Sequence, residues 1–368
     1  MTLTPMGQRF RAVLLTIVMM GLTACDTISY YSQAASGQLS LILDRQRIDR
    51  LLARDDLEPE IRRKLQLVVE ARGFAEQQLM LPVGSSYRSY VELERPYVLW
   101  NVFAAPEFST TPTTWCYPVA GCVAYRGFFS EQAAQRFADR LQYDGFDVYT
   151  GGVDAYSTLG WFEDPLTSSV LNRADHRLVS LLFHELSHRL VYLPGDTTFN
   201  ESFATFVEQE GLRRWLREHP QVGAEAMLAK EAQMQAEFVT LVTRHRDAVA
   251  EVYAAEDSSE LKRQRKSQQQ EALRRDYEIL REEWGYRGYD RWFAGPLNNA
   301  QLATVGSYND LVPEFAALLQ SVDGDLGAFY ERVEELTRLP AGQRAAALQG
   351  VREDFPDYGF ANYPGAAL

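Results

Sequence analysis

The chain has 368 residues, 46% hydrophobic and 24% charged, enough to enclose a core and too apolar for a disordered segment. Its 50 acidic against 37 basic residues leave a formal charge of −13, which repels phosphate backbones and sets nucleic acid aside as a partner. Three cysteines are too few for a disulfide-dense scaffold or a zinc-ribbon array.

Residues 1–24 read as an export leader. Arg9 and Arg11 precede an apolar run from Ala12 to Leu22, too short to span a bilayer but suited to a signal-peptide core. The run ends in Leu22-Thr23-Ala24-Cys25, which resembles a bacterial lipobox. Cleavage before Cys25 and acylation of that residue would hold the mature chain on a membrane. The alternative is an ordinary secretory signal cut after Ala24. The expected location is the cell envelope, lipid-anchored on the periplasmic side. In enteric-type lipoprotein sorting an aspartate at the position of Asp26 favours the inner membrane.

From Gln38 to Leu81 the apolar residues follow a helical period, broken once at Asp55-Asp56-Leu57-Glu58-Pro59, where a new helix can start. Between Val83 and Pro106 the composition turns strand-like, most clearly over Tyr97–Phe103. Cys116 and Cys122 follow, separated by a Tyr-Pro-Val-Ala-Gly turn. An oxidising compartment and an even count favour a disulfide, since two thiols without a nearby histidine make a poor metal site. Ser130 to Tyr143 predicts a helix capped by Ser130, and Asp147 to Gly152 a strand. Ala224 to Trp284 is nearly free of Pro and Gly and predicts two long helices joined near Asp257-Ser258-Ser259. Its basic run, Lys262-Arg263-Gln264-Arg265-Lys266, reads as a solvated helix face, with anionic lipid headgroups the other reading. Arg291 to Leu319 is again apolar and helical. Four segments are expected: the leader 1–24, a helical region with the first strands over 25–110, a metal-site core over 111–220, and a helical region over 221–368.

The string His184-Glu185-Leu186-Ser187-His188 carries the chemistry. On a helix, residues four apart share a face, so both imidazoles can meet one ion. Glu185 lies about 100° round the helix, beside the open position, where it can take a proton from water without being a ligand. Thirteen residues after His188 comes Asn200-Glu201-Ser202-Phe203-Ala204. Asn200 can cap a helix and place Glu201 in its first turn. If that helix returns antiparallel through Pro194-Gly195-Asp196, Glu201 joins the histidines. Two histidines and one glutamate leave one zinc position for water or substrate.

HELSH followed by NESFA resembles the gluzincin pattern of HExxH plus NExxA found in enzymes of the aminopeptidase N type. The lipobox, Trp115-Cys-Tyr-Pro118, Ala155-Tyr-Ser-Thr-Leu-Gly-Trp161 and Asn298-Asn-Ala-Gln-Leu302 extend this to a resemblance with a bacterial family of "putative aminopeptidase" lipoproteins. The resemblance implies a zinc metallopeptidase with ligands His184, His188 and Glu201 and with Glu185 as general base. It departs from aminopeptidase N in two respects. The gap from His188 to Glu201 is short, and the longer spacing lands near Glu208, taken here as the partner that orients a ligating histidine. The amine-gripping GxMEN is missing. Pro194 excludes a metzincin continuation.

The segment Tyr156–Phe162, including Gly160, is placed to pair with an extended peptide. Glu163 or Asp164 could receive a free α-amine, or simply cap the turn at Pro165. Tyr308 is the candidate oxyanion donor, with Tyr286 and Tyr289 competing among 19 tyrosines. The expected fold is α+β and mostly helical, with a zincin-like core, a small sheet before the metal helix and long C-terminal helices. The expected activity is zinc-dependent hydrolysis of peptides, as an aminopeptidase. The alternatives are an envelope endoprotease, or a non-enzymatic zinc lipoprotein that binds a partner through its long helices. A structural zinc would need a fourth ligand, and His176 is the nearest candidate.

Overall fold

The computed structural model describes residues 30–117, 121–155, 163–220, 223–305 and 310–355. The leader, Cys25, the segment 156–162 with Gly160, and Tyr308 lie outside the described residues.

The chain opens with helix α1 over 30–44, strand β1 (Gln46–Arg47), α2 (Ile48–Leu52) and α3 (Pro59–Gln77). Pro59 occupies the first turn of α3, where its missing N–H leaves no helical bond unmade. Then come β2 (Ser89–Val91), β3 (Leu99–Pro106), β4 (Trp115–Tyr117), β5 (Gly121–Val123) and β6 (Tyr125–Phe128). Helix α4 (Glu131–Tyr143) starts where Ser130 accepts a hydrogen bond from the Ala133 N–H. It leads into β7 (Phe146–Val153), β8 (Leu166–Thr167), α5 (Ser168–Leu171), α6 (Asp175–Ser187) and α7 (Thr197–Glu218). The two long helices are α8 (Ala224–Ala254) and α9 (Ser259–Trp284). After them come α10 (Asp290–Phe293), α11 (Asn299–Leu302), α12 (Val312–Gln320), α13 (Leu326–Thr337) and α14 (Ala341–Asp354). The architecture is α+β and mostly helical. Among the described residues no helix is long and apolar enough to cross a membrane.

Strand β3 is the centre of an antiparallel sheet with β6 on one side and β7 on the other. Its inward residues Trp100, Val102 and Ala104 pack with Phe128, Val148 and the Ala134–Ala138 face of α4. A smaller sheet has the order β1-β2-β8, with β2 and β8 parallel. The larger core joins α3, α6, α7, α12 and α13 around the fully buried Phe183, Phe199, Phe203, Phe206, Phe315 and Phe329. It reaches from Ile48 to Leu348, so the three segments expected after the leader share it.

A third core lies between α8 and α9, where Phe238, Leu241 and Val242 meet Leu273, Tyr277 and Trp284. This helical pair is fastened to the β3–β7 sheet by buried polar groups. The Asn299 amide donates to the carbonyls of Pro106 and Glu107, its N–H donates to Asp147, and its Oδ1 accepts from the Tyr253 hydroxyl. Lys266 reaches Asp147 at 2.6 Å and the Glu107 carbonyl at 3.0 Å. The basic run on α9 is exposed at Arg263, Gln264 and Arg265, as a solvated face is, while Lys266 is buried. Arg263 grips Glu107, Lys262 donates to the Tyr253 carbonyl and Arg265 pairs with Asp257, so these cations hold the chain to itself.

Two outcomes follow from these contacts. Asn299→Ala removes several buried hydrogen bonds at once and should lower unfolding free energy by about 2–4 kcal/mol in urea titrations. At the start of α6, Asp175 is held by Arg63 and Lys64 of α3, with contacts of 2.6 and 2.8 Å. The Arg63 bonds, against an opposing push from burial and with help from Lys64, lower its pKa to about 2. A depressed carboxylate contributes stability above its unfolded pKa and loses it as pH falls through the folded one. Asp175→Asn should cost about 1 kcal/mol at neutral pH, allowing for solvent screening, and the difference should close between about pH 4 and pH 2.

Candidate metal centre

Helix α6 buries Leu178, Val179, Leu182, Phe183 and Leu186. His184 and His188 stand one turn apart, with ring centres 5.0 Å apart at 81°. His188 is the residue after the last helical turn, yet it keeps helical angles (φ −62°, ψ −20°), which preserves the spacing.

Helix α7 begins four residues earlier than the Asn200 cap predicts. Asp196 is the cap, accepting from the Phe199 N–H at 3.0 Å. Asn200 lies within the helix and is buried. Its amide donates to the Leu193 carbonyl at 2.8 Å and its Oδ1 accepts from the Leu193 N–H at 2.7 Å. It therefore stitches the loop between the two helices to α7, and Glu201 falls in the second turn. Asp and Asn cap about equally well, so the tertiary bonds to Leu193 decide between them.

His188 and His184 face Glu201, and His184 and Ser180 face Glu208, so α6 and α7 run antiparallel. Gly211 permits their close approach, since a Cβ there would fall 2.7 Å from the Phe183 ring. The loop between the helices is braced from outside. Gly121 of the β4–β5 hairpin lies against Pro194 and Gly195, where a Cβ would come 2.6 Å from the Gly195 nitrogen. Cys116 and Cys122 are directly opposite in that hairpin and joined by a disulfide.

Donor atoms of His184, His188 and Glu201 all lie within 4.8 Å of one another. The Glu201 Oε2 is 3.4 Å from His184 Nε2 and 3.7 Å from His188 Nε2. Tetrahedral zinc with ligand bonds of about 2.0–2.1 Å separates neighbouring donors by about 3.3 Å. These residues therefore fit a zinc ion in number, type and spacing. His184 Nδ1 points away from the cluster and donates to Glu208 at 3.0 Å, which fixes the tautomer that leaves Nε2 free to ligate.

The electrostatics treat the two imidazoles differently. Burial lowers His188 to about pKa 4, helped by His184 and opposed by Glu201, so its imidazole is neutral and ready to ligate. Burial also acts to lower His184, but bonds to Glu201 and Glu208 raise it well above the usual imidazole range. Glu201 and Glu208 are pushed up by burial and brought below the usual carboxylate range by the histidines. At Glu185 the histidines do not outweigh burial. Burial, with Glu201, Asp164 and Glu208 adding to it against His184, raises its pKa to about 7.

A cleft of about 710 Å³ opens beside His184, Glu185 and Glu208. It follows the exposed faces of α6 and α7, with α8 and the Tyr286–Tyr289 turn as the far wall and the end of β7 as a rim. Asp154 on that rim pairs with Arg173 at 2.8 Å, and Glu231 on α8 pairs with Arg177 at 3.0 Å and His176 at 3.3 Å. His176 is therefore engaged by Glu231, on the cleft side of α6.

Of the substrate candidates, Glu163 is turned to Arg45, while Asp164 is buried and its charge is felt by Glu185. Two residues beyond the sequence reading feel the charge of the cluster. The phenols of Tyr125 and Tyr192 are raised by burial first and then by the charge of Glu201. Nothing in their spacing singles them out among the tyrosines, because β6 and the α6–α7 loop reach the site only through the fold. Competition with a chromophoric chelator should separate the two glutamates. Glu201→Ala should abolish stoichiometric zinc binding, and Glu208→Gln should weaken it about 10–100-fold.

No curated protein and no solved structure matches the chain. A family model described as "Putative aminopeptidase" matches residues 29–348, and the chain belongs to that family.

Proposed function

We propose that this chain is a zinc-dependent peptidase with a zincin-like core, acting as an aminopeptidase at the cell envelope. The observation that carries the reading is the convergence of His184, His188 and Glu201, with His184 and its neighbour Glu185 lining a cleft. Nitrogen and carboxylate donors in a tetrahedral arrangement favour zinc over magnesium or calcium. Zinc in that cluster supplies Lewis-acid activation of water and of a peptide carbonyl. Glu185 accepts the proton of the attacking water and passes it to the leaving amine. Its largely buried setting, with a pKa near neutrality before any cation is counted, suits both transfers. Glu208 keeps His184 oriented through Nδ1. Tyr125, Tyr192 and Tyr308 are the candidates for hydrogen-bonding the developing oxyanion. Acylation at Cys25 anchors the chain on the periplasmic side, and Asp26 favours the inner membrane.

One observation favours the endopeptidase alternative. The outer carboxylates of the cleft, Asp154 and Glu231, are already paired with Arg173 and Arg177, and Asp164 is buried.

The test uses the full chain in detergent, beside Glu185→Gln, with amino-acid anilides and N-blocked peptides as substrates. One zinc per chain is expected in both proteins, with activity about 10²–10⁴-fold lower in the variant. Cleavage of anilides marks an aminopeptidase, and cleavage of blocked peptides marks an endopeptidase. A chain that binds no zinc overturns the assignment.

A further inference from the structure

Helix α1 is apolar on two faces, and the fold uses only one. On the inner face, Tyr30 meets Phe128 edge-on with the Arg126 guanidinium 3.8 Å above its ring. Gln33 accepts from the Phe129 N–H at 3.0 Å, and Leu41 is buried with Val91, Val98, Leu99 and Phe129. Gly37 lies so close to Phe129 that a Cβ would fall 2.1 Å from the ring. These contacts fix the helix against the rest of the molecule.

The outer face carries Tyr31, Ala35, Leu39 and Leu43, four residues apart and so on one ridge. Tyr31 is 47% exposed, Leu39 54% and Leu43 71%. Across all described residues eight large hydrophobic side chains are exposed, and three of them are on this one helix. Charge is missing as well. No charged residue occurs from Thr27 to Leu43, although charged residues make up 24% of the chain. A helix face meant for water ordinarily carries charge, as α9 does. The outer neighbours here are Ser32 and Ser36, polar groups that a headgroup layer can hydrogen-bond, and Ser40, whose hydroxyl donates to Asp44 at 2.9 Å.

The nearness of α1 to Cys25 bears on what this face meets. Five residue steps separate Cys25 from Tyr30, at most about 18 Å when fully extended. A lipid on Cys25 therefore holds the start of α1 within that distance of a bilayer surface.

We infer that α1 lies flat on the membrane, with Tyr31, Leu39 and Leu43 seated in the headgroup and acyl boundary of a phospholipid bilayer. The inference rests on lipid attachment at Cys25. Two or more acyl chains anchor the protein, and the ridge adds apolar contact and fixes its orientation. Because the inner face of α1 is bound to the β6 and β3 side of the sheet, the whole sheet takes a set tilt to the membrane.

The test uses the full lipidated chain in phosphatidylethanolamine–phosphatidylglycerol vesicles. With Cys25 acylated and Cys116–Cys122 closed, Leu43→Cys or Leu39→Cys introduces one free thiol for a nitroxide. Tyr143→Cys, at the fully exposed end of α4, is the reference. Collisions with oxygen relative to a water-soluble nickel chelate should be about tenfold more frequent at positions 39 and 43 than at 143. Equal ratios overturn the inference, as does dipolar broadening that disappears on dilution with unlabelled protein, which would place a second copy on this face. Mass analysis of the N-terminal peptide separates the two readings. Without acyl chains on Cys25, both lipid anchoring and the inference fall. With them present and position 43 reporting water, only the inference falls.

Discussion

Four acidic side chains, Asp164, Glu185, Glu201 and Glu208, are gathered around two imidazoles on the inner side of the cleft. Like charges in such a setting repel strongly, and burial alone opposes each carboxylate. The arrangement holds together only if positive charge is shared among them, from a protonated His184 or from a cation placed between the ligands. It also requires a scaffold stiff enough that the acids cannot drift apart. The α6–α7 pair supplies this through the Phe74–Phe183–Trp215 aromatic cluster, the close approach at Gly211 and the Asn200–Leu193 bonds. Helices α3, α12 and α13 in turn close the apolar side of that pair.

The placing of His184 and His188 side by side was legible because helix geometry fixes it: an i, i+4 pair on an apolar periodic segment faces one way wherever the helix sits. Helices α8 and α9 were equally plain, from length and the lack of Pro and Gly. What stayed hidden depends on distant partners. The basic run on α9 looks like a solvated face until Glu107 and Asp147, more than a hundred residues earlier, arrive beside it. The capping position went to Asp196 because Asn200 has better use in tertiary bonds. Strands of two or three residues, such as β1, β2 and β8, are too short to show any period. The far wall of the cleft comes from α8 and the turn after α9, which no local pattern links to the metal helix.

The placing of that wall shows what a satisfied polar network does inside a fold. Asn299 and Lys266 bring α8 and α9 against the β3–β7 sheet through groups that have only one set of partners in reach. Apolar packing alone would tolerate a sliding register between hairpin and sheet. Buried donors do not, because a slip leaves them unpaired. At the other end of the hairpin, Phe238 stacks on Tyr289 at 4.4 Å and sets the turn that faces the ligand helices. The cleft is thus bounded by two elements, each held by its own means.

The contact of Gly121 with Pro194 and Gly195 sets an order of events in the life of the chain. Strands β4 and β5 have three residues each, too short for a hairpin to persist unaided. Their cross-link, closing a short loop, contributes about 2 kcal/mol. Before the thiols are oxidised, the loop joining the two ligand helices has no such brace. A chain with reduced thiols thus carries the candidate ligands His184, His188 and Glu201 but lacks the cross-link behind the loop that joins their helices. On the proposed export of the chain, closing the disulfide would complete the brace behind that loop.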